Sequence, residues 1–169
     1  GAVSGLFITF EGDDGSGKST QLTRLAEWLQ GLGREVVVTR EPGGTPLGSE
    51  IRQLVQHRDE HVDVRAEALL FAADRAHHIA TVVKPALERG AVVLQDRYLD
   101  SSVAYQGVGR ELEAEEVRDL SLWATRGLLP HATVLLDLAP EIGGQRAASR
   151  EGAQFDRLEA AGDEFHQRV

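Results

Sequence analysis

The chain has 169 residues, enough for one domain with a hydrophobic core, and its 41% apolar and 27% charged residues are ordinary for a globular protein. Its formal net charge of −9 argues against nucleic-acid binding as the main function, because a phosphate backbone needs a basic footprint. Cysteine is absent, which excludes disulfides and thiolate metal sites and suits a reducing cytosol, and no apolar run reaches the ~20 residues of a membrane-spanning helix.

Residues 1–5 carry no basic n-region and no long apolar stretch, so no secretory signal is expected. Gly1 where a Met would stand suggests a processed or tagged start. No internal repeat or low-complexity linker interrupts the chain. Leu6 to Phe10 reads as a buried strand. A helix is predicted from Lys18 to Gln30, with Leu22, Leu25, Ala26 and Leu29 on one face and Gly31 and Gly33 to stop it. Val36 to Thr39 is a second strand. Asp63 is placed to cap a long helix running through Ala80, disturbed near Pro85 and closed at Gly90.

Ala91 to Leu94 is a third strand, Ala114 to Arg126 a helix ending at Gly127, and Thr133 to Leu136 a fourth strand. A helix from about Glu141 to Ser149 follows, with Gly143 and Gly144 as awkward members that each cost about 1 kcal/mol relative to alanine. A polar stretch and a short terminal helix close the chain. Strands alternating with crossover helices predict an α/β fold with a parallel, doubly wound sheet, whose ligands bind beyond the carboxyl ends of the strands. The segments 12–20, 40–45 and 96–110 fall at those ends.

Gly12-Asp13-Asp14-Gly15-Ser16-Gly17-Lys18-Ser19 matches G-x-x-x-x-G-K-[ST] between a predicted strand and a predicted helix. The glycines let backbone N–H groups wrap a phosphate, and the helix N-terminus adds positive potential. Lys18 is suited to the β- and γ-phosphates of ATP and Ser19 to Mg²⁺, with Thr20 completing the loop. Lysine is scarce: only Lys18 and Lys84 occur among 18 cationic side chains. The motif alone gives a nucleotide phosphate binder, a property shared by kinases, GTPases and motor ATPases.

Four segments resemble the bacterial thymidylate kinases among the P-loop nucleoside monophosphate kinases: Phe10 to Gln21, Thr39 to Thr45, Leu70 to Arg75 and Asp96 to Gly107. Their order and spacing agree with that family along essentially the whole chain. The resemblance implies a three-layer α/β/α P-loop fold, here a single domain over residues 1–169, and transfer of the γ-phosphoryl group of ATP to dTMP with Mg²⁺. It also implies a homodimer, while the acidic, cysteine-free sequence without a long apolar run points to a cytoplasmic protein with no nucleic-acid or membrane partner. For the dTMP site the resemblance implies Phe71 stacked on thymine, Arg75 donating to a thymine carbonyl, and Ser102 and Gln106 at the pyrimidine edge. Tyr105 would lie against the deoxyribose and Asp14 would accept from its 3′-hydroxyl.

Arg97 and Arg52 match positions that hold the acceptor phosphate, with Arg40 and Glu41 beside them. Arginine suits this role because its planar fork grips phosphate oxygens in pairs. Asp96 is then a candidate carboxylate for Mg²⁺ or its waters, or a strand-end cap. Residues 146–157 resemble the family's lid. Because Asp13, Asp14 and Ser16 occupy the phosphate loop, the transition-state arginine is expected in that lid, at Arg150 with Arg146 second.

Family members usually continue further, so a C-terminal strand and helix are expected to be missing. The six histidines (57, 61, 77, 78, 131 and 166) show no ligand-like spacing and read as surface or structural. Three other readings compete with this one. One is a kinase for another nucleoside monophosphate or a deoxynucleoside. The second is a non-catalytic nucleotide-binding module. The third, a GTP switch, needs an Asn-Lys-x-Asp segment, and the chain has no asparagine.

Overall fold

A computed structural model of the chain describes residues 5–12, 17–56, 60–97 and 114–136. Four strands, β1 (Leu6–Gly12), β2 (Val36–Arg40), β3 (Val92–Asp96) and β4 (Ala132–Leu136), form one parallel sheet in the order β2-β3-β1-β4. Helix α1 (Lys18–Gly31) covers one face. Its Leu22, Ala26 and Leu29 pack with Phe10, Val92 and Leu94. On the other face, Phe7 and Val93 pack with Ile79, Val83, Ala86 and Leu87. The architecture is thus three-layered, as the alternating pattern predicts.

The second face is covered by α3 (Val64–His78), a π-helical stretch (Ile79–Val83), α4 (Lys84–Glu88) and α5 (Ala114–Ala124). Asp63 caps α3 as expected, its Oδ2 accepting from the N–H groups of Arg65 at 3.0 Å and Ala66 at 3.2 Å. The long helix is disturbed earlier than expected. Pro85 has no N–H to give, and the five residues preceding Lys84 widen into the π turn, with the Lys84 N–H reaching back to the Ile79 carbonyl.

One helix, α2 (Pro46–Gln56), is absent from the sequence reading. Its signal was present: the Thr45 hydroxyl accepts from Gly48 N at 2.9 Å, and Pro46 stands at the first helical position. The helices expected at 141–149 and at the C-terminus lie outside the described residues.

The sheet face toward α3 changes character along its strands. Val37, Val93 and Phe7 form an apolar row. Two residues on come Thr39, Gln95, Thr9 and Thr133, where the Thr9 and Thr133 hydroxyls lie 3.0 Å apart. Beyond these, at the carboxyl edge, buried Glu11 and Glu41 introduce charge. Polarity thus rises toward the edge where a parallel sheet receives its ligands.

Candidate active site

The phosphate-loop ends are anchored on both sides. Gly12 has φ 142°, and a Cβ there would strike the Leu136 carbonyl oxygen, so only glycine fits between β1 and β4. Gly17, at φ 88°, precedes α1, and its carbonyl accepts from Gln21 N at 3.0 Å. Lys18 folds back from the first turn of α1 and is 4% exposed. Its Nζ donates to the Gly12 carbonyl at 3.1 Å and stands 2.8 Å from Asp96 Oδ1. That approach to Asp96 is an ion contact outside hydrogen-bond angles, which leaves buried Oδ1 without a hydrogen bond. Asp13, Asp14, Gly15 and Ser16 lie outside the described residues.

Asp96 ends β3, and Arg97 follows in the left-handed region at φ 69°, held by its N–H to the Phe10 carbonyl at 2.8 Å. Ser19 and Asp96 both line a cleft of about 440 Å³, shared with Thr39, Arg40 and Gly43. Among the described residues no cluster of three or more His, Cys, Asp or Glu could hold a metal. Mg²⁺ fits this arrangement nonetheless. It prefers hard oxygen ligands and takes one or two from protein, the rest from phosphates and water. Among the described residues lining the cleft, the Asp96 carboxylate and the Ser19 hydroxyl are oxygen donors of this kind. Thr20 is exposed on the first turn of α1.

The second half of the site lies on the other side of β2. Glu41 N donates to the Asp96 carbonyl at 3.0 Å, joining the two halves directly. The Glu41 side chain is 4% exposed and turns toward α3. Its Oε1 accepts from Arg75 Nε at 2.6 Å and its Oε2 pairs with His78 Nδ1 at 2.8 Å. Burial alone raises the Glu41 pKa, but the Arg75 charge and then His78 outweigh it and hold the carboxyl below its ordinary range. Arg75 Nη1 donates to Ser121 Oγ on α5 at 2.9 Å. Phe71 is half-buried one turn before Arg75.

The loop between β2 and α2 is gripped from both flanks. Asp74 Oδ1 accepts from Gly43 N at 3.1 Å, and Arg52 Nη1 donates to the Pro42 carbonyl at 3.0 Å. Arg40 Nε reaches the Gly43 carbonyl at 3.5 Å. Burial raises the Asp74 pKa against the Gly43 N–H, and the Glu41 charge adds to the rise. A Cβ on Gly44 would lie 2.6 Å from both the Arg40 carbonyl and His78 Nε2, so the loop backbone sits directly on α3.

The structure therefore brings Ser19, Arg40 and Asp96 to one cleft, holds Lys18 between Asp96 and Gly12 beside it, and pairs buried Glu41 with Arg75. Arg52 is tied to the intervening loop. Arg150, Arg146, Ser102, Tyr105 and Gln106 lie outside the described residues. The sequence reading missed Asp74, Ser121 and the buried role of His78. Residues 74, 75 and 78 share one helical face by spacing, which is the signal that could have grouped them.

Comparison with known proteins agrees with this fold. The family described as Thymidylate kinase matches residues 10–169. The chain is 65% identical over 167 residues to a protein named thymidylate kinase from Clavibacter sepedonicus, covering 99% of this chain and 79% of that one. It is 67% identical over 165 residues to one from Leifsonia xyli subsp. xyli, covering 98% and 78% respectively. A crystal structure of thymidylate kinase from Ehrlichia chaffeensis superposes with a TM-score of 0.77 at 32% identity, covering 98% of this chain and 88% of that one. Fold, phosphate loop and relatives concur: the chain belongs to the thymidylate kinase family.

Proposed function

We propose that this chain transfers the γ-phosphoryl group of ATP to dTMP, giving dTDP and ADP, with Mg²⁺ accompanying ATP. The observation that carries the reading is the Lys18–Asp96 contact, which joins the phosphate loop to the end of β3, where Arg97 begins the acceptor side. Lys18 neutralises charge on the transferred group. Arg97, with Arg40 and Arg52 near the β2–α2 loop, holds the dTMP phosphate. Asp14, Phe71, Arg75, Ser102, Tyr105 and Gln106 receive the nucleoside, and Arg150 of the 146–157 lid supplies the transition-state arginine.

The acceptor oxygen is already anionic, so no covalent intermediate and no strong general base are required. Catalysis is alignment plus charge neutralisation. When bound through Asp96 and Ser19, Mg²⁺ supplies further neutralisation of the phosphate oxygens. The reading also includes a homodimer, which the exposed Leu47 and Leu54 of α2 and Leu69 of α3 suit. It includes a cytoplasmic location, which the cysteine-free composition suits. No helix among the described residues is long and apolar enough to cross a membrane.

A coupled ADP-release assay across dTMP, dUMP, dCMP and AMP tests the reaction. The reading expects turnover fastest with dTMP. Preference for AMP or dCMP would assign the chain to another acceptor, and absence of ADP with every acceptor would make it a binding module.

A further inference from the structure

A buried relay runs from β2 through α3 to α5 and ends on the arginine assigned to the pyrimidine. His78 is 0% exposed. Its Nε2 lies 2.6 Å from Thr39 Oγ1 and its Nδ1 lies 2.8 Å from Glu41 Oε2. The other Glu41 oxygen accepts from Arg75 Nε at 2.6 Å, and Arg75 Nη1 donates to Ser121 at 2.9 Å. An ionised carboxylate only accepts hydrogen bonds, so Nδ1 must carry the proton and donate to Glu41. Nε2 meets the Thr39 hydroxyl on the other side, so the ring is fixed from both edges.

The consequence concerns geometry. Glu41 and Arg75 sit on different elements, and a carboxylate can rotate about its last bond. Nδ1–H on Oε2 locks that rotation, and Oε1 is then held where Arg75 Nε meets it. Ser121 holds a second nitrogen, so Glu41 and Ser121 together constrain the plane of the guanidinium. The Gly44 backbone packs against the imidazole with no room for a Cβ, which closes off ring movement toward the loop.

We propose that His78 is a positioning residue for substrate selection: through Glu41 it sets the orientation of the Arg75 guanidinium that reads the pyrimidine. This rests on the assignment of Arg75 to the nucleobase made above. A side chain that only filled space would serve equally with either of two amides. A positioning role distinguishes them, because Asn places its amide nitrogen near Nδ1 and Gln near Nε2.

The test compares His78→Gln, His78→Asn and Arg75→Ala in steady-state kinetics, with melting temperatures for each. His78→Gln loses the donor to Glu41 and is expected to raise the KM for dTMP about tenfold, with the KM for ATP unchanged. His78→Asn restores the donor and is expected to recover about threefold or more of that loss. Equal KM values for the two amide variants, or none raised, would overturn the proposal while Arg75→Ala still raised the KM. An unchanged KM in Arg75→Ala would instead sink the pyrimidine assignment itself.

Nitrogen NMR of the wild-type imidazoles gives a check independent of variant folding. The expected state is a His78 ring carrying a proton on Nδ1, with its signals shifting when dTMP is added. A ring protonated on Nε2 alone, or one indifferent to dTMP, contradicts the relay.

Discussion

Lys18 Nζ stands 2.8 Å from Asp96 Oδ1, with the Gly12 carbonyl 3.1 Å from the same nitrogen. A cation from the start of α1 is thereby held against the carboxyl end of β3, and its charge is balanced before any nucleotide arrives. In the proposed reaction, triphosphate oxygens entering the loop would compete with Asp96 for that ammonium. The freed Asp96 carboxylate, with the Ser19 hydroxyl, would then hold Mg²⁺.

Lys18→Ala is expected to lower kcat by about 10²–10³-fold or more, the range found when a donor to developing charge is removed. The Asp96 side chain is partly exposed at 33%, so removing the lysine does not leave a fully buried charge and the fold is expected to persist. Circular dichroism and single-turnover kinetics check the two halves of this expectation. Wild-type turnover in the variant would refute the role of Lys18.

Glu41→Gln is expected to destabilise the protein by about 3–5 kcal/mol at neutral pH, because it leaves the buried Arg75 charge without its counter-ion. The pH dependence has a definite sign. The folded-state pKa of Glu41 is depressed, so its stabilisation is full above the unfolded carboxyl value and is lost as pH falls through the folded one. The difference in melting temperature between wild type and variant should therefore shrink below about pH 4. A constant difference from neutral to acid pH would contradict the ionised pair.

Asp74→Asn runs the other way. The Asp74 pKa is raised by burial and by the nearby Glu41 charge, so its ionised form opposes folding at neutral pH. Its contribution is most favourable below the unfolded value and declines as pH rises through the folded one. Asparagine keeps an oxygen for the Gly43 N–H without the charge. Chemical denaturation at pH 7 is expected to show equal or greater stability, by up to about 1 kcal/mol, and the gain should vanish in acid. A clear loss of stability at pH 7 would show that the carboxylate is needed as such.

Gly44→Ala tests the close approach of the β2–α2 loop to α3. The new methyl would sit 2.6 Å from the Arg40 carbonyl and 2.6 Å from His78 Nε2. Overpacking of this kind costs about 1–3 kcal/mol. Thermal melting should show the loss, and the KM for dTMP should rise with it because the methyl pushes on the imidazole.

The strands, the parallel sheet and the phosphate-loop context were legible in the sequence because each is a local pattern. Apolar runs mark β1 to β4, and the period of Leu22, Ala26 and Leu29 marks the buried face of α1. Helix α2 escaped because Gly43, Gly44 and Gly48 make its start look like loop, although Thr45 and Pro46 signal a helix N-terminus. The π stretch has no comparable local pattern beyond Pro85. His78 escaped for a different reason. Its partners Glu41 and Thr39 are 37 and 39 residues away, and Ser121 is 46 residues from Arg75. No spacing rule reports contacts between elements brought together only by the sheet order. The family resemblance supplied roles for Phe71, Arg75 and Arg97, but the carboxylate and imidazole that hold Arg75 come from the geometry.

The central claim is that two nucleotides meet across the Lys18–Asp96 contact and exchange a phosphoryl group. Phosphorus NMR of the protein with ATP, dTMP and Mg²⁺ follows that exchange atom by atom. The expected record is stoichiometric loss of ATP with matched appearance of ADP and dTDP, and no inorganic phosphate beyond the protein-free background. Release of inorganic phosphate in place of dTDP, at a rate indifferent to dTMP, would contradict it.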